Sequence, residues 1–453
     1  MTETYPRSKA RARLRSLAEA LDSGAIAQVS RILNSDLSPG DIAHLIESSP
    51  PKQRRLLWSL IDRDLEGDVL AYVDDDIRAE FLSELNAQDV LELTEDFEVD
   101  DLADLLQQLP ESVYEEVLAA MDERDRKRVE EVLSYPEDSA GGLMNTDVVT
   151  IRPDITVDVV LRYLRMHKQL PPMTDSLIVV NRKDEYIGIL PITRLLVSQP
   201  SATVREIMRT DIDPIPVTMP DREVANLFER HDLVSAPVVD ENGRLVGRIT
   251  VDDVVDVIRD DADHEILSMA GLDEEDDMFA PTLQTARNRA VWLGINLVTA
   301  FVASAVVGMF QDTIDKVVAL AVLMPIVASM GGIAGTQALT LVIRGMATGK
   351  ISQSNFRWLI SREFIVGALN GLLWAVVVAL GAVIWFDDWT IGGIIASAML
   401  INLVIAALAG TTLPMILKML RIDPALAGGV ILTTLTDVAG FMSFLGLATI
   451  VYS

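Results

Sequence analysis

The sequence has 453 residues, half of them hydrophobic, with no cysteine and a formal net charge of −29 at pH 7. The missing cysteines exclude a disulfide framework and any thiolate metal site. The negative charge argues against nucleic acid and anionic lipid as partners, because both require a basic surface, and it favours cations.

The charge is concentrated in the first part of the chain. From Arg289 onward there are only seven acidic and eight basic residues, which leaves 60 of the 67 acidic and 30 of the 38 basic residues in the first 288. The first part therefore carries about −30 and the rest about +1. For most of these carboxylates the ordinary interpretation is a solvated surface that aids solubility.

Residues 1–135 predict an acidic, all-α N-terminal domain. Apolar residues recur at helical spacing in segments 90–97 and 102–109, and proline-containing breaks fall at positions 38–40, 50–51 and 109–110. This pattern predicts short helices stacked in a superhelical array. The first 21 residues include basic residues but no apolar segment behind them, and so predict no cleavable signal peptide.

Residues 136–200 and 201–260 predict two copies of one α/β unit. The first copy contains TIRPDITVDVVLRYLRMH and LIVVNRKDEYIGILPITRLL, and the second contains PIPVTMPDREVANLFERH and APVVDENGRLVGRITVDDVVDVI. A repeat of this length indicates a duplicated supersecondary unit, and the DENG segment at Asp240–Gly243 predicts a hairpin turn. The repeat resembles a tandem pair of CBS domains, which usually forms a regulatory module that senses a nucleotide or an ion.

A dense acidic segment, residues 251–277, follows the second repeat. On a helix, Asp253, Asp256 and Asp260 lie on one face at spacings of three and four, and they repel one another unless a cation neutralises them. Residues 261–288 are predicted to form a connecting helix to the next domain.

Residues 289–453 predict a transmembrane domain of five helices, each a predominantly apolar segment of about 20 or more residues. The predicted spans are Ala290–Phe310, Val317–Arg344, Phe364–Phe386, Ile391–Leu417 and Ala425–Tyr452. Basic residues are concentrated in the loops between the second and third and between the fourth and fifth spans. By the positive-inside rule the N-terminus is cytoplasmic and the C-terminus lies outside.

Asp437 is the only ionised residue in the last span, TTLTDVAGFMSFLGLATIVY. A carboxylate near the middle of a membrane helix costs about 2.5–3.5 kcal/mol on insertion scales. Such a group usually faces a bundle interior or a water-filled path and has a partner. No Lys or Arg in this span can neutralise it, so a cation is the natural partner; a hydrogen bond to a neighbouring helix is the alternative.

The whole arrangement resembles the MgtE family of magnesium channels. Three segments carry the resemblance besides the repeats and spans: YPEDSAGGLM at 135–144, PIVASMGGIAGTQALTLVIRGMATGKI in the second span, and DPALAGGVILTTLTDVAGF at 423–441. The resemblance implies a homodimer in the plasma (inner) membrane, with Mg²⁺ as both substrate and regulator. It also implies that cytosolic Mg²⁺ closes the channel by binding between the CBS pair and the N-terminal domain, and that ATP is a candidate ligand of the CBS pair.

The family motifs also imply site residues. The candidate metal ligands are Asp437 and Asp423 in the last-span motif, Asp232, Asp253 and Asp256 on the CBS side, and Asp100 and Asp104 in the N-terminal domain. The candidate pore-lining residues are Gly331, Gly332, Gly335, Thr433, Thr434, Ala439 and Gly440. For the glycines the alternative is ordinary packing between membrane helices, and for the threonines it is a hydrogen bond back to their own helix.

Further polar and apolar residues in the spans bear on the path. Asn402 and Gln337 are polar residues within spans. For each of them, pore lining and hydrogen bonding between helices are equal alternatives. Ile333 stands where the family's glycine-rich segment usually has Asn, which puts the ion preference in question more than the fold.

Two other functions are compatible with the sequence. Transport of Co²⁺, Mn²⁺ or Ni²⁺ is an alternative, because oxygen ligands discriminate poorly among these ions. A non-conducting membrane scaffold regulated by its CBS pair is another. An enzyme is not predicted: all four histidines precede the first span, so none can form an HExxH zinc site on a membrane helix, and no GxxxxGK[ST] motif is present.

Overall fold

A computed structural model describes residues 25–83, 85–94, 97–167, 169–272, 278–280, 282–351 and 354–452. The predicted absence of a signal peptide in the first 21 residues, and the acidic residues 273–277, lie outside this description. The chain divides into two compact units. The first contains the described residues up to Asp261 together with residues 278–280, and the second contains residues 262–272 and the described residues from Thr282 onward.

The N-terminal part of the first unit is a stack of short helices, as predicted. Over the described residues they are α1 (Ile26–Asp36), α2 (Pro39–Glu47), α3 (Pro51–Trp58), α4 (Arg63–Tyr72), α5 (Asp75–Leu82), α6 (Ala87–Leu93), α7 (Val99–Gln107), α8 (Glu111–Ala120) and α9 (Glu123–Leu133). Local chemistry starts several of them. Ser38 and Asp41 form a capping box at α2, and the Asn86 side chain accepts two backbone N–H groups at α6.

Two α/β repeats follow, which confirms the predicted tandem CBS architecture. The first contains β1 (Thr150–Ile151), α10 (Val157–Met166), β2 (Ser176–Val180), β3 (Tyr186–Pro191), α11 (Ile192–Val197) and α12 (Val204–Ile207). The second contains β4 (Ile215–Pro216), α13 (Asp221–His231), β5 (Ser235–Val239) and β6 (Leu245–Thr250), and then α14 (Val251–Met269). In each repeat the first strand pairs in parallel with the second, and the second pairs antiparallel with the third.

The predicted hairpin turn is present between β5 and β6. The Asp240 carboxylate accepts the backbone N–H groups of Asn242 and Arg244 at 2.8 Å each, and Gly243 adopts a φ of 75°. Glycine tolerates this left-handed conformation without a steric penalty.

One apolar core continues from the N-terminal helices into the second repeat. It includes Leu70 and Leu105 from the helical stack and Phe228, Ile249 and Val254 from the second repeat, whereas the first repeat has its own core. This shared core places α7 against the beginning of α14. The helix α14 runs on to Met269, so the predicted boundary at 260/261 falls inside a continuous helix.

The second unit contains five long apolar helices over the described residues, as predicted. They are α15 (Thr282–Gly308), α17 (Ala319–Ala347), α18 (Phe356–Phe386), α19 (Trp389–Met419) and α20 (Pro424–Tyr452), and a short helix α16 (Gln311–Lys316) joins the first two. Each is long enough to cross a bilayer. Their ends extend past most of the predicted limits, because helical hydrogen bonding continues into polar flanks that hydropathy does not count. The helix α19 is the most buried of the five.

Candidate functional site

An open groove with a volume of about 440 Å³ lies between α17 and α20. Its described lining residues are Ala328, Ser329, Gly332, Ile333, Thr336 and Gln337 from α17, and Thr433 and Asp437 from α20. Helical periodicity explains this set, because residues three or four apart share a face. Asp437, Thr433 and Gly332 were predicted from the sequence. Ser329 and Thr336 were not, although helical spacing from Gly332 would have indicated them.

The chemistry of the groove suits a hydrated cation. Among its described lining residues there is no Lys or Arg, so the Asp437 carboxylate has no cationic side chain beside it in the groove. Thr433 and Thr336 donate to the carbonyls of Gly429 and Gly332, at 2.8 and 2.9 Å, which leaves their oxygen lone pairs available to water or an ion. A carboxylate with neutral oxygen groups is the ligand set that Mg²⁺ prefers while it retains part of its water shell.

The remaining candidate pore-lining residues lie outside the lining of this groove. Gly331, Gly335 and Gly440 are buried. A Cβ at Gly331 or Gly440 would meet Asn402, and a Cβ at Gly335 would meet Leu432. Thr434 donates to the Val430 carbonyl at 2.8 Å, and Ala439 is partly buried. The glycines therefore permit close helix packing in this structure.

The two neutral polar residues of the spans are placed differently. Asn402 is fully buried, and its Nδ2 donates to the Val327 carbonyl at 2.9 Å, so it links α19 to α17. Gln337 lines the groove and also a second cavity of about 210 Å³, whose lining includes the buried Glu363. The structure thus assigns Asn402 to interhelical hydrogen bonding and Gln337 to the groove wall.

Asp423 lies at the start of α20, away from the groove. Its Oδ1 accepts the Ala425 N–H at 2.9 Å, and its Oδ2 lies 3.0 Å from Nε2 of His264 in α14. Asp423 and Asp437 are separated by 14 residues of helix, which is about 21 Å along the axis. They therefore do not form one site, and the pairing with His264 was not foreseen from the sequence.

A second acidic site lies in the first unit, where α7 meets the beginning of α14. Asp100 is 6% exposed, and its Oδ1 has no hydrogen-bond partner in the described structure. Burial, and next the charge of Asp253, raise the pKa of Asp100 well above its usual range. The Asp253 carboxylate accepts the Thr250 backbone N–H at 3.2 Å and the Thr250 hydroxyl at 2.9 Å. Burial and the neighbouring Asp252 raise the Asp253 pKa to about 7.

The other three predicted regulatory residues, Asp104, Asp256 and Asp232, differ in burial and in their neighbours. Burial, and next the charge of Glu137, raise the pKa of Asp104 to about 7. Asp256 is exposed and lies 3.9 Å from Nη1 of Arg259, whose Nη2 is 3.3 Å from Asp74 of the helical stack. Asp232 is exposed and ends α13 with a φ of 50°.

The described residues contain no preassembled group of three or more His, Asp or Glu side chains with metal-binding geometry. The acidic side chains are close enough to raise one another's pKa but do not converge on one point. A cation that binds here must either keep water between itself and the carboxylates or draw them together.

We expect the stability of the first unit, in the absence of divalent ions, to fall as the pH rises from 6 to 8. Asp104 and Asp253 have folded pKa values of about 7, against about 3.9 in an unfolded chain. Folding therefore favours their protonated forms. Their contribution is fully present below about pH 4 and is lost as the pH rises through about 7. Between pH 6 and 8 the loss is about 1.4 kcal/mol for each group.

Pulse proteolysis of the full-length protein in urea, in detergent with EDTA at pH 6 and pH 8, measures this change. Mg²⁺ should restore more stability at pH 8 than at pH 6, because protons compete with it at the lower pH. A stability that is equal at both pH values, or higher at pH 8, would contradict the prediction.

Comparisons with known proteins agree with this architecture. The MgtE model, described as a divalent cation transporter, matches residues 324–447; the MgtE intracellular N domain matches residues 37–138; and the CBS domain matches residues 140–199 and 204–260. A solved cytosolic domain of the Mg²⁺ channel MgtE in complex with ATP is 34% identical, with a TM-score of 0.48, and covers 53% of this chain and 98% of its own.

Relatives match over nearly the full length. The magnesium transporter MgtE of Thermus thermophilus is 32% identical over 440 residues, which cover 96% of this chain and 97% of the relative. The magnesium transporter MgtE of Bacillus subtilis is 30% identical over 419 residues, which cover 92% and 93%. The chain therefore belongs to the MgtE family of divalent cation transporters.

Proposed function

We propose that this protein carries Mg²⁺ into the cell along a path that passes Asp437. The observation that carries the proposal is the groove between α17 and α20, in which one carboxylate stands among neutral oxygen groups without a cationic side chain. A site of this kind holds a hydrated divalent ion weakly enough to release it. Two relatives that match almost the whole chain are magnesium transporters, which supports the choice of ion. Mg²⁺ flux into proteoliposomes, with and without Asp437→Ala, tests the proposal.

The path is completed by a second copy of the chain in this proposal. The groove is open on one side, and Ile333 in its wall is 56% exposed. A hydrated ion in an open groove would face lipid hydrocarbon, which cannot replace its water. A homodimer in which two such grooves face each other would enclose the ion between two Asp437 carboxylates. The divalent charge would offset the repulsion between them.

Cytosolic Mg²⁺ is proposed to close this path through the acidic site at α7 and α14. The N-terminus is taken as cytoplasmic and the C-terminus as external, and the basic loops between the spans support that orientation. Mg²⁺ bound among Asp100, Asp104, Asp253 and Asp256 would stabilise the packed arrangement of the helical stack on the second repeat. An ion shifts such an equilibrium only by its differential affinity for the two states. Asp100, buried with an unpartnered oxygen, gives the packed state that differential affinity.

ATP at the CBS pair and a metal ion at Asp232 or Asp423 remain predictions from the family resemblance. Calorimetric titration of ATP into the purified full-length protein tests the first. Absence of any heat of binding would contradict the ATP prediction and leave the transport proposal unaffected.

We expect residue 333 to influence how strongly the path prefers Mg²⁺ over other divalent ions. Ile333 lines the groove together with Asp437. Its apolar side chain offers the hydrated ion no hydrogen bond, whereas an asparagine at this position would offer one. We expect Ile333→Asn to change the ratio of Mg²⁺ flux to Co²⁺ or Ni²⁺ flux by about three- to tenfold, the range of one hydrogen bond. An Ile333→Val control keeps the wall apolar and should leave the ratio unchanged. An unchanged ratio in Ile333→Asn would show that this position does not contact the permeating ion.

A further inference from the structure

Asn402 occupies a fully buried position between three membrane helices. It belongs to α19, and its Nδ2 donates to the Val327 carbonyl of α17 at 2.9 Å. Two glycines make room for its side chain. A Cβ at Gly331 of α17 would collide with the Asn402 amide, and a Cβ at Gly440 of α20 would lie 2.8 Å from its Nδ2. The amide group is therefore seated between α17 and α20.

This position lies directly behind the groove. On α17, Val327 and Gly331 immediately precede Ala328 and Gly332, which line the groove. On α20, Gly440 follows Asp437 by three residues, or less than one helical turn. The helices that Asn402 contacts are thus the two that form the groove walls, and the contacts fall at the level of Asp437.

Packing alone does not account for an asparagine here. Its Oδ1 is buried without a hydrogen-bond partner among the described residues, and an unsatisfied acceptor is unfavourable in a buried site. A leucine has the same number and branching of side-chain heavy atoms and would bury no unsatisfied acceptor. The amide adds a directional hydrogen bond to the backbone of α17. The absence of a side chain at Gly331 and Gly440 leaves room for it.

We propose that Asn402 is a positioning residue that sets the spacing between α17 and α20, and with it the distance from Asp437 to the opposite wall of the groove. This inference rests on the proposed Mg²⁺ transport for its functional consequence. The proposed effect of Asn402 on the spacing between α17 and α20 does not depend on transport. A directional contact sets the spacing more sharply than apolar packing, because its strength falls steeply with distance and angle.

The test compares Asn402→Leu, Asn402→Ala, Gly440→Ala and the double variant Asn402→Ala/Gly440→Ala, reconstituted at full length. We expect Asn402→Leu to raise the apparent KM for Mg²⁺ by about three- to twentyfold, the range that corresponds to one hydrogen bond between membrane helices. Gly440→Ala should lower thermal stability through its collision with the amide. The double variant relieves that collision, so it should be more stable than Gly440→Ala. Because it lacks the amide, it and Asn402→Ala should both show a raised KM like that of Asn402→Leu.

A purely packing role gives a different result, in which the double variant restores both stability and KM. Because the chain has no cysteine, the rate of cross-linking between Ser329→Cys and Thr433→Cys measures the spacing of the walls without relying on flux. An unchanged cross-linking rate and an unchanged KM in Asn402→Leu would overturn the inference. Absence of flux in the wild type would instead refute the proposed function, and the cross-linking rate would still decide the inference about spacing.

Discussion

Flux of Mg²⁺ into proteoliposomes is expected to fall to the level of protein-free liposomes when Asp437 is replaced by alanine. The carboxylate is the only charged group among the described residues that line the groove, so its removal leaves a neutral wall in front of a doubly charged ion. At an effective dielectric constant of about 20, two unit charges 4 Å apart attract by about 4 kcal/mol. The loss of about 3 kcal/mol already reduces occupancy of the groove about a hundredfold.

Asp437→Asn separates the effect of charge from that of the oxygen ligand. The amide keeps one oxygen that can accept from the water shell of the ion, but it provides no net attraction. We expect its flux to lie between those of the wild type and the alanine variant, and closer to the latter.

The matched control is Asp387→Asn, which removes one negative charge from an exposed residue that ends α18 with a φ of 51°. Asparagine tolerates this left-handed conformation, so the control should fold and conduct normally. Wild-type flux in Asp437→Ala would refute the proposed path. Absence of flux in every variant, including the folded wild type, would favour the non-conducting scaffold that the sequence left open.

The fold could be predicted from the sequence where its determinants are local. Span length, the repeated α/β pattern and the Asp240–Gly243 turn all depend on residues close together in the chain, and the structure confirms the architecture that they indicate. Asp437 could be singled out because one charge in an apolar helix is conspicuous without any knowledge of its neighbours. The other wall of the groove was harder to predict, since Ser329 and Thr336 are unremarkable until α17 and α20 are placed side by side.

What the sequence could not provide depends on contacts between distant segments. Asp100 is ordinary in the sequence, and its buried, unpartnered carboxylate arises only when α7 packs on α14, about 150 residues later. Asn402 could not be assigned to pore or packing, because the answer depends on where Gly331 and Gly440 face. His264 received no role, since nothing in its own surroundings indicated Asp423 as a neighbour. Each of these depends on packing geometry, which residue spacing alone does not determine.

The paired replacement Asp253→Asn/Asp256→Asn is expected to flatten the inhibition of flux by cytoplasmic Mg²⁺. Two effects act together. Loss of two carboxylates lowers the affinity of the packed state for Mg²⁺ and raises the half-inhibiting concentration by about tenfold or more, since about 1.4 kcal/mol suffices for each factor of ten. Removing the charge of Asp253, which raises the pKa of the buried Asp100, also lets the packed state form more readily without Mg²⁺, so flux at low Mg²⁺ should fall.

The flattened response is measured as Mg²⁺ flux in proteoliposomes of defined sidedness, while Mg²⁺ on the face that bears the N-terminal domain is varied. Asp154→Asn/Asp158→Asn is the matched control. It makes the same change in net charge at exposed residues of the first repeat, which form surface ion pairs with Arg205 and Arg162. Such pairs contribute about 0–1 kcal/mol, so the control should keep the wild-type response.

Equal flattening in both double variants would mean that total charge, rather than the site at α7 and α14, sets the response. Unchanged inhibition in Asp253→Asn/Asp256→Asn would place the regulatory site elsewhere and leave transport past Asp437 unaffected, because the two sites belong to separate units of the chain.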